Sequence, residues 1–233
     1  MKFRNSLRKD FLLLLHSPIP IVSLFTVSLT VILIFFISLE KPFPLPLAGV
    51  RSISWCLVFL LNFILVGQAL YEERELGAIQ INRSSYGMTT IFISKLVVLW
   101  VGESLVIFGI QLVTAILFQE QSLENSLRSF CILTLGSIPL LSLGIAFGLV
   151  SAEARYQELV LPLLQIPLSL PVFFLGRETE FRVLQRGDLY GLFLFLSLIV
   201  FYTALCLVLL EIVMGKGPIS PVLDPKNTKT GEK

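Results

Sequence analysis

The stretch from Tyr71 to Ile81 holds the densest chemistry outside the apolar runs: Glu72, Glu73, Arg74 and Glu75, then Leu76, Gly77, Ala78, Ile79 and Ile81. Three carboxylates and a guanidinium followed by a small apolar surface suit a short helix that docks into a groove on a soluble partner. The same residues would also serve as a solvated connector, and spacing alone leaves both readings open. A second set lies inside apolar runs, where polar groups are costly and face a bundle interior. It comprises Asn62, Gln68, Lys95, Glu103, Gln111 and Gln165. Glu103 and Gln111 fall close to one helical face, with Ser104 and Gly109 nearby. That stripe would line a pathway or tie helices together by hydrogen bonds. Lys95 falls near a span end, from which its long side chain would reach the headgroups. A third set, Arg177, Arg182 and Arg186, punctuates a charged loop with Phe181, Val183 and Leu184 as an apolar edge. Its guanidiniums would meet lipid phosphate, a protein partner or the carboxylates of a substrate.

No catalytic set accompanies them. The sequence lacks a GxxxxGK[ST] loop, so the backbone cradle and lysine that hold a nucleotide's phosphates are missing. It also lacks HExxH, GxSxG and any cluster of His, Asp and Glu. The sole histidine, His16, precedes Ser17 and Pro18 and reads as a capping or surface residue. Cys56, Cys131 and Cys206 sit in separate apolar runs without CxxC spacing, as small core residues would. Trp55 and Trp100 are placed as interface anchors near span ends. The expectation is a chain with no catalytic residues, no metal site and no directly bound cofactor.

The elements that must carry these residues are long and apolar. Of 233 residues, 55% are hydrophobic and 15% charged, against about 25% charged in a soluble domain. About 20 apolar residues cross a bilayer as a helix, and six such spans are predicted: Ile21–Leu39, Ser52–Leu70, Ile91–Phe118, Cys131–Val150, Leu159–Leu175 and Tyr190–Met214. Pro162, Pro167 and Pro171 should kink or break the fifth, with the freed carbonyls buried in the bundle. Residues 1–18 mix Lys2, Arg4, Arg8 and Lys9 with Phe3, Leu7, Phe11, Leu12 and Leu15, the pattern of a basic amphipathic helix lying at the membrane surface. Residues 19–214 form the transmembrane domain, and the polar segment 215–233 is expected to be a disordered tail. Positive charge orients the whole. With both termini in the cytoplasm, twelve of the 18 Lys and Arg residues fall inside and six outside. The net charge of +2 gives no argument for nucleic acid.

Several segments resemble CcmB, also called heme exporter protein B, the permease subunit of the ABC transporter of cytochrome c maturation. Ser54-Trp55 opens the second span at that family's tryptophan position, and Glu72-Glu73 followed by Gly77 looks like its acidic, glycine-punctuated stretch. Ile93-Ser94-Lys95-Leu96 resembles its entry into the third span. Gly136-Ser137-Ile138-Pro139 fits the fourth span, and the run Ile166 to Gly176 is similar to the family's LPLxIPxxIFG run in the fifth. The chain departs from the pattern at Gln68, where glutamate is common. It departs again at Asn82 to Gly87, which replace a proline-rich turn, and at Pro162 and the polar tail.

The resemblance implies an all-α membrane protein with an ABC-2-like exporter permease fold in a bacterial inner membrane. It implies a partner CcmA-like ATPase that uses ATP and docks on the acidic stretch, with CcmC-like and CcmD-like membrane subunits alongside. Heme would be cargo of the complex, passed to a CcmE-like periplasmic chaperone, and this chain offers no evident axial ligand for it. Heme export and ATP-driven release of the loaded chaperone both fit. An ABC permease for a lipid, glycan or drug is the alternative within transport, and a non-transporting scaffold for heme-handling partners is the alternative outside it. A membrane enzyme fits worst, because Glu103 has no partner carboxylate, histidine or nucleophile at useful spacing.

Overall fold

Where water is absent, a backbone must satisfy its own N–H and C=O groups, and leucine-, isoleucine- and phenylalanine-rich runs do so as helices. The computed structural model describes residues 2–16, 19–39, 47–75, 87–118, 123–151, 157–187 and 190–214. Among them there are seven helices and no strand: α1 Lys2–His16, α2 Ile19–Leu39, α3 Leu47–Glu75, α4 Met88–Leu117, α5 Leu123–Ser151, α6 Gln157–Arg186 and α7 Tyr190–Met214. Two glycines with positive φ punctuate them. Gly87 (φ 81) precedes α4, and Gly187 (φ 64) closes α6, its N–H donating to the Val183 carbonyl at 3.2 Å.

Five helices are long and apolar enough to cross a membrane: Ile21–Ser38, Gly49–Tyr71, Met88–Leu117, Glu124–Val150 and Tyr190–Val213. They mark a multi-pass membrane protein. Each corresponds to an expected span, and the fourth begins earlier than Cys131 because Leu123 to Phe130 continue the same helix. The remaining expected span, Leu159–Leu175, lies within α6. That helix is not broken at its prolines: it runs through Pro162, Pro167 and Pro171 without interruption. It also absorbs the segment expected to be a loop, so Arg177, Arg182 and Arg186 ride its last turns.

The bundle is apolar on its outer faces as well as in its core, with a few polar groups enclosed between helices. Its centre is α5, packed against α3, α4, α6 and α7 and 72% buried along its span, whereas α2 and α7 are 17% and 22% buried. Outward faces carry Ile34, Ile37, Leu163, Phe174, Phe193 and Val200, all exposed, while Asn62, Glu103, Gln165 and Ser142 are enclosed. Helix α1 packs on α4 through a polar contact: Ser94 Oγ donates to Asp10 Oδ2 at 2.7 Å, and the Ser6 and Ser94 hydroxyls lie 3.0 Å apart. Its Phe3, Phe11, Leu12 and Leu13 point away from the bundle.

Candidate functional site

Buried polar groups occur at three levels along α4, near Ser94 and Lys95, at Glu103 and at Gln111. Steps of eight residues separate the levels by about 12 Å of helix. The most densely bonded cluster lies at the Gln111 level, around the carboxylate of Glu180. Arg51 and Trp55 are one turn apart on α3, as are Gly176 and Glu180 on α6, so each pair shares a helix face. The faces meet. Trp55 Nε1 donates to Glu180 Oε2 at 2.6 Å, Ser129 Oγ on α5 donates to Oε1 at 2.5 Å, and Arg51 Nη1 stands 3.5 Å from Oε1. Trp55 and Glu180 are both wholly enclosed.

The indole fits because two helices omit side chains where it lies. A Cβ on Gly136 would stand 2.5 Å from Trp55 Cη2, and one on Gly176 would collide with the same ring atom. Phe173 and Phe195 meet the ring edge-on, with centroids 6.3 and 6.2 Å away. Thr179 Oγ1 then donates to the Gly191 carbonyl at 3.2 Å, binding α6 to α7. Beside this knot is a polar cavity of about 20 Å³, lined by Arg51, Ser54, Gln111, Thr114, Ser126 and Ser129 together with Val50 and Ala115. That is room for a water molecule with several polar partners.

The middle level is sparser. Asn62 Nδ2 on α3 lies 3.3 and 3.5 Å from the two oxygens of Glu103 and 3.4 Å from the Ser137 carbonyl on α5. Pro139 interrupts the donor ladder of α5 here, because proline has no N–H to give. Side chains crowd the carbonyls of the preceding turn: Trp100 Nε1 and Ser137 Oγ both donate to Thr134 O, at 2.9 Å each. One step further, Gln165 Nε2 reaches the Leu140 carbonyl at 3.4 Å, while Asn62 Oδ1, Gln68 Oε1 and Gln165 Oε1 are buried without a hydrogen-bond donor.

Sequence reasoning brought Asn62, Glu103, Gln111 and Gln165 to the interior, and they are there. Glu103 and Gln111 share the buried side of α4, where they serve separate clusters. Five placements need correction. Trp55 is a core wedge rather than an interface anchor, and Trp100 sits mid-helix on a neighbour's carbonyl. Lys95 is buried beside Ser94 rather than extended to headgroups. Cys56 and Cys131 face outward, and only Cys206 is a core residue. Ser129, Glu180 and Asp10 were missed, although the i,i+4 pairing of Gly176 with Glu180 was available as a signal. Arg177 is exposed, and Arg182 pairs with Glu178 on the surface at 2.8 Å. Leu76, Gly77 and Ile79, the side chains of Glu72, Glu73, Arg74, Glu75, Pro162, Arg186 and His16, and the segment 215–233 lie outside the described residues.

The described residues include no group of three His, Cys, Asp or Glu side chains able to hold a metal ion. No protein-family model and no curated protein matches the chain.

Proposed function

We propose that the chain is the membrane-embedded permease subunit of an ABC transporter of the CcmB type, driven by a separate ATPase. One observation carries the reading. Trp55, Gly136 and Gly176 belong to three distant segments, each resembling that family on its own, and in the fold they form one contact. A chance likeness between apolar runs gives no reason for the matching residues to converge. A second observation supports the coupling route. Helices α3 and α4 flank the segment 76–86, with Glu72 to Glu75 on the last turn of α3, and they are joined internally by Asn62 and Glu103.

In this reading α2 to α7 are six spans in a bacterial inner membrane, with both termini in the cytoplasm. A CcmA-like ATPase docks on Glu72, Glu73, Glu75 and Gly77. Its nucleotide-driven closure tilts α3 and α4, provided it binds the two arrangements with different affinity. Heme is cargo of the complex and is handled by CcmC-like and CcmD-like subunits and a CcmE-like chaperone.

The test is affinity purification in mild detergent, with mass spectrometry of partners and an absorption spectrum for heme. Recovery of a CcmA-like ATPase with a tryptophan-rich membrane partner supports the proposal, and it should be lost when Glu72 and Glu73 are both changed to lysine. Recovery of an ATPase without heme-handling partners points to another exported substrate. Unchanged ATPase binding and turnover in the double variant removes the docking assignment.

A further inference from the structure

Glu103 has no solvent exposure and lies midway along the 30-residue helix α4. Its donor supply is thin. A single amide nitrogen, Asn62 Nδ2, serves both carboxyl oxygens at 3.3 and 3.5 Å and also approaches the Ser137 carbonyl. The Ser137 hydroxyl faces the same carboxyl and also lies 2.9 Å from Thr134 O, so its one hydrogen can serve only one of the two. With that hydrogen on Thr134 O, the Ser137 oxygen is able to accept from Glu103.

The charged neighbours are remote or engaged elsewhere. Lys95, on the same helix, is two turns away, about 12 Å along the axis. Asp10 of α1 is held by Ser94. Helix α2 carries no titratable side chain. On α3 the nearest is Cys56, and Arg51 is at the Glu180 cluster. Helix α5 offers Cys131 and the Glu124–Arg128 pair at its start. On α7, Tyr202 donates to the Leu168 carbonyl, and Glu211 accepts from Thr89 at the far end. Among the described residues, no cation pairs with Glu103. A buried carboxylate in such surroundings carries a desolvation penalty that one long hydrogen bond does not offset.

We propose that Glu103 is a proton-binding site, held in the bundle as a neutral acid that donates to the Ser137 hydroxyl oxygen and accepts from Asn62. The hydrogen-bond assignments then close without conflict. Glu103 gives its proton to Ser137, Ser137 gives its own to Thr134 O, and Trp100 completes that carbonyl. Release of the proton would place a bare charge where α3, α4 and α5 meet, so occupancy governs how tightly α3 and α4 hold together. This regulatory consequence rests on the permease reading, whereas the site itself does not.

Infrared spectroscopy of the full chain in lipid nanodiscs, with carbon-13-labelled glutamate, tests the assignment at neutral pH. The expected result is a protonated carboxylic-acid carbonyl band that moves with the label, vanishes in Glu103→Gln and survives in Glu180→Gln. A band that persists in folded Glu103→Gln, or no labelled acid band in the wild type, overturns the proposal. If Glu103→Gln does not fold, the labelled Glu180→Gln protein decides: a surviving band supports the site and its absence sinks it. Failure to recover an ATPase partner would leave this band untouched, so the two readings fail separately.

Discussion

Glu180 and Glu103 are both carboxylates sealed from solvent, yet their surroundings differ in kind. Around Glu180 stand an indole N–H, a serine hydroxyl and a guanidinium, contributed by α3 and α5. Around Glu103 there is one shared amide nitrogen and a serine whose single hydrogen Thr134 O also claims. The first cluster gathers donors onto a charge and fastens three helices. The second offers so little that a proton is the economical partner. Burial alone therefore does not set the role of an enclosed acid; the number of donors that reach it does.

The sharpest way to break this contrast is to remove the Glu180 carboxylate. Glu180→Ala takes the acceptor from the Trp55 N–H and the Ser129 hydroxyl and a counter-charge from Arg51, and removing one partner of a buried ion pair costs about 3–5 kcal/mol. Unfolding in detergent micelles should show it, with Glu178→Ala as the control. Glu178 is exposed and pairs with Arg182 across one turn, an arrangement worth about 0.3–0.5 kcal/mol. Equal losses for the two variants would dissolve the distinction. Next in size is Gly176→Ala, whose new methyl group meets the enclosed Trp55 ring; overpacking of this sort costs about 1–3 kcal/mol. Tryptophan fluorescence in a Trp100→Phe background should show the displaced indole, and an unmoved spectrum with full stability would rule out the wedge.

The helices were legible because each apolar run is about as long as a membrane crossing needs and no run alternates as a strand would. Interior placement of Asn62 and Glu103 followed from the cost of polar groups in hydrocarbon. What composition does not encode is which helix faces which. Trp55 looked like an interface residue because it falls near a span end, and only the packing of α3 onto α5 and α6 turns its ring inward. The prolines of α6 misled for a related reason. A proline removes one N–H and leaves the carbonyl four residues earlier without its helical donor, yet the helix continues through all three. Glu180 was overlooked because its segment reads as a polar loop until α6 carries it against α3.

The smallest expected effect makes the finest test. If Glu103 is a neutral acid, Glu103→Gln keeps its shape, its donor to Ser137 and its acceptor for Asn62. The loss should then stay under about 1 kcal/mol, the scale of one neutral hydrogen bond. The same change at Glu180 turns an amide N–H₂ towards the Trp55 N–H or the Arg51 guanidinium, which only donate, and leaving buried donors facing one another costs about 1–3 kcal/mol. Chemical unfolding of the two glutamine variants in identical micelles reads the difference directly. Similar losses, or a larger one at Glu103, would mean that the middle of the bundle holds a charge after all, and that donor number is not what separates the two acids.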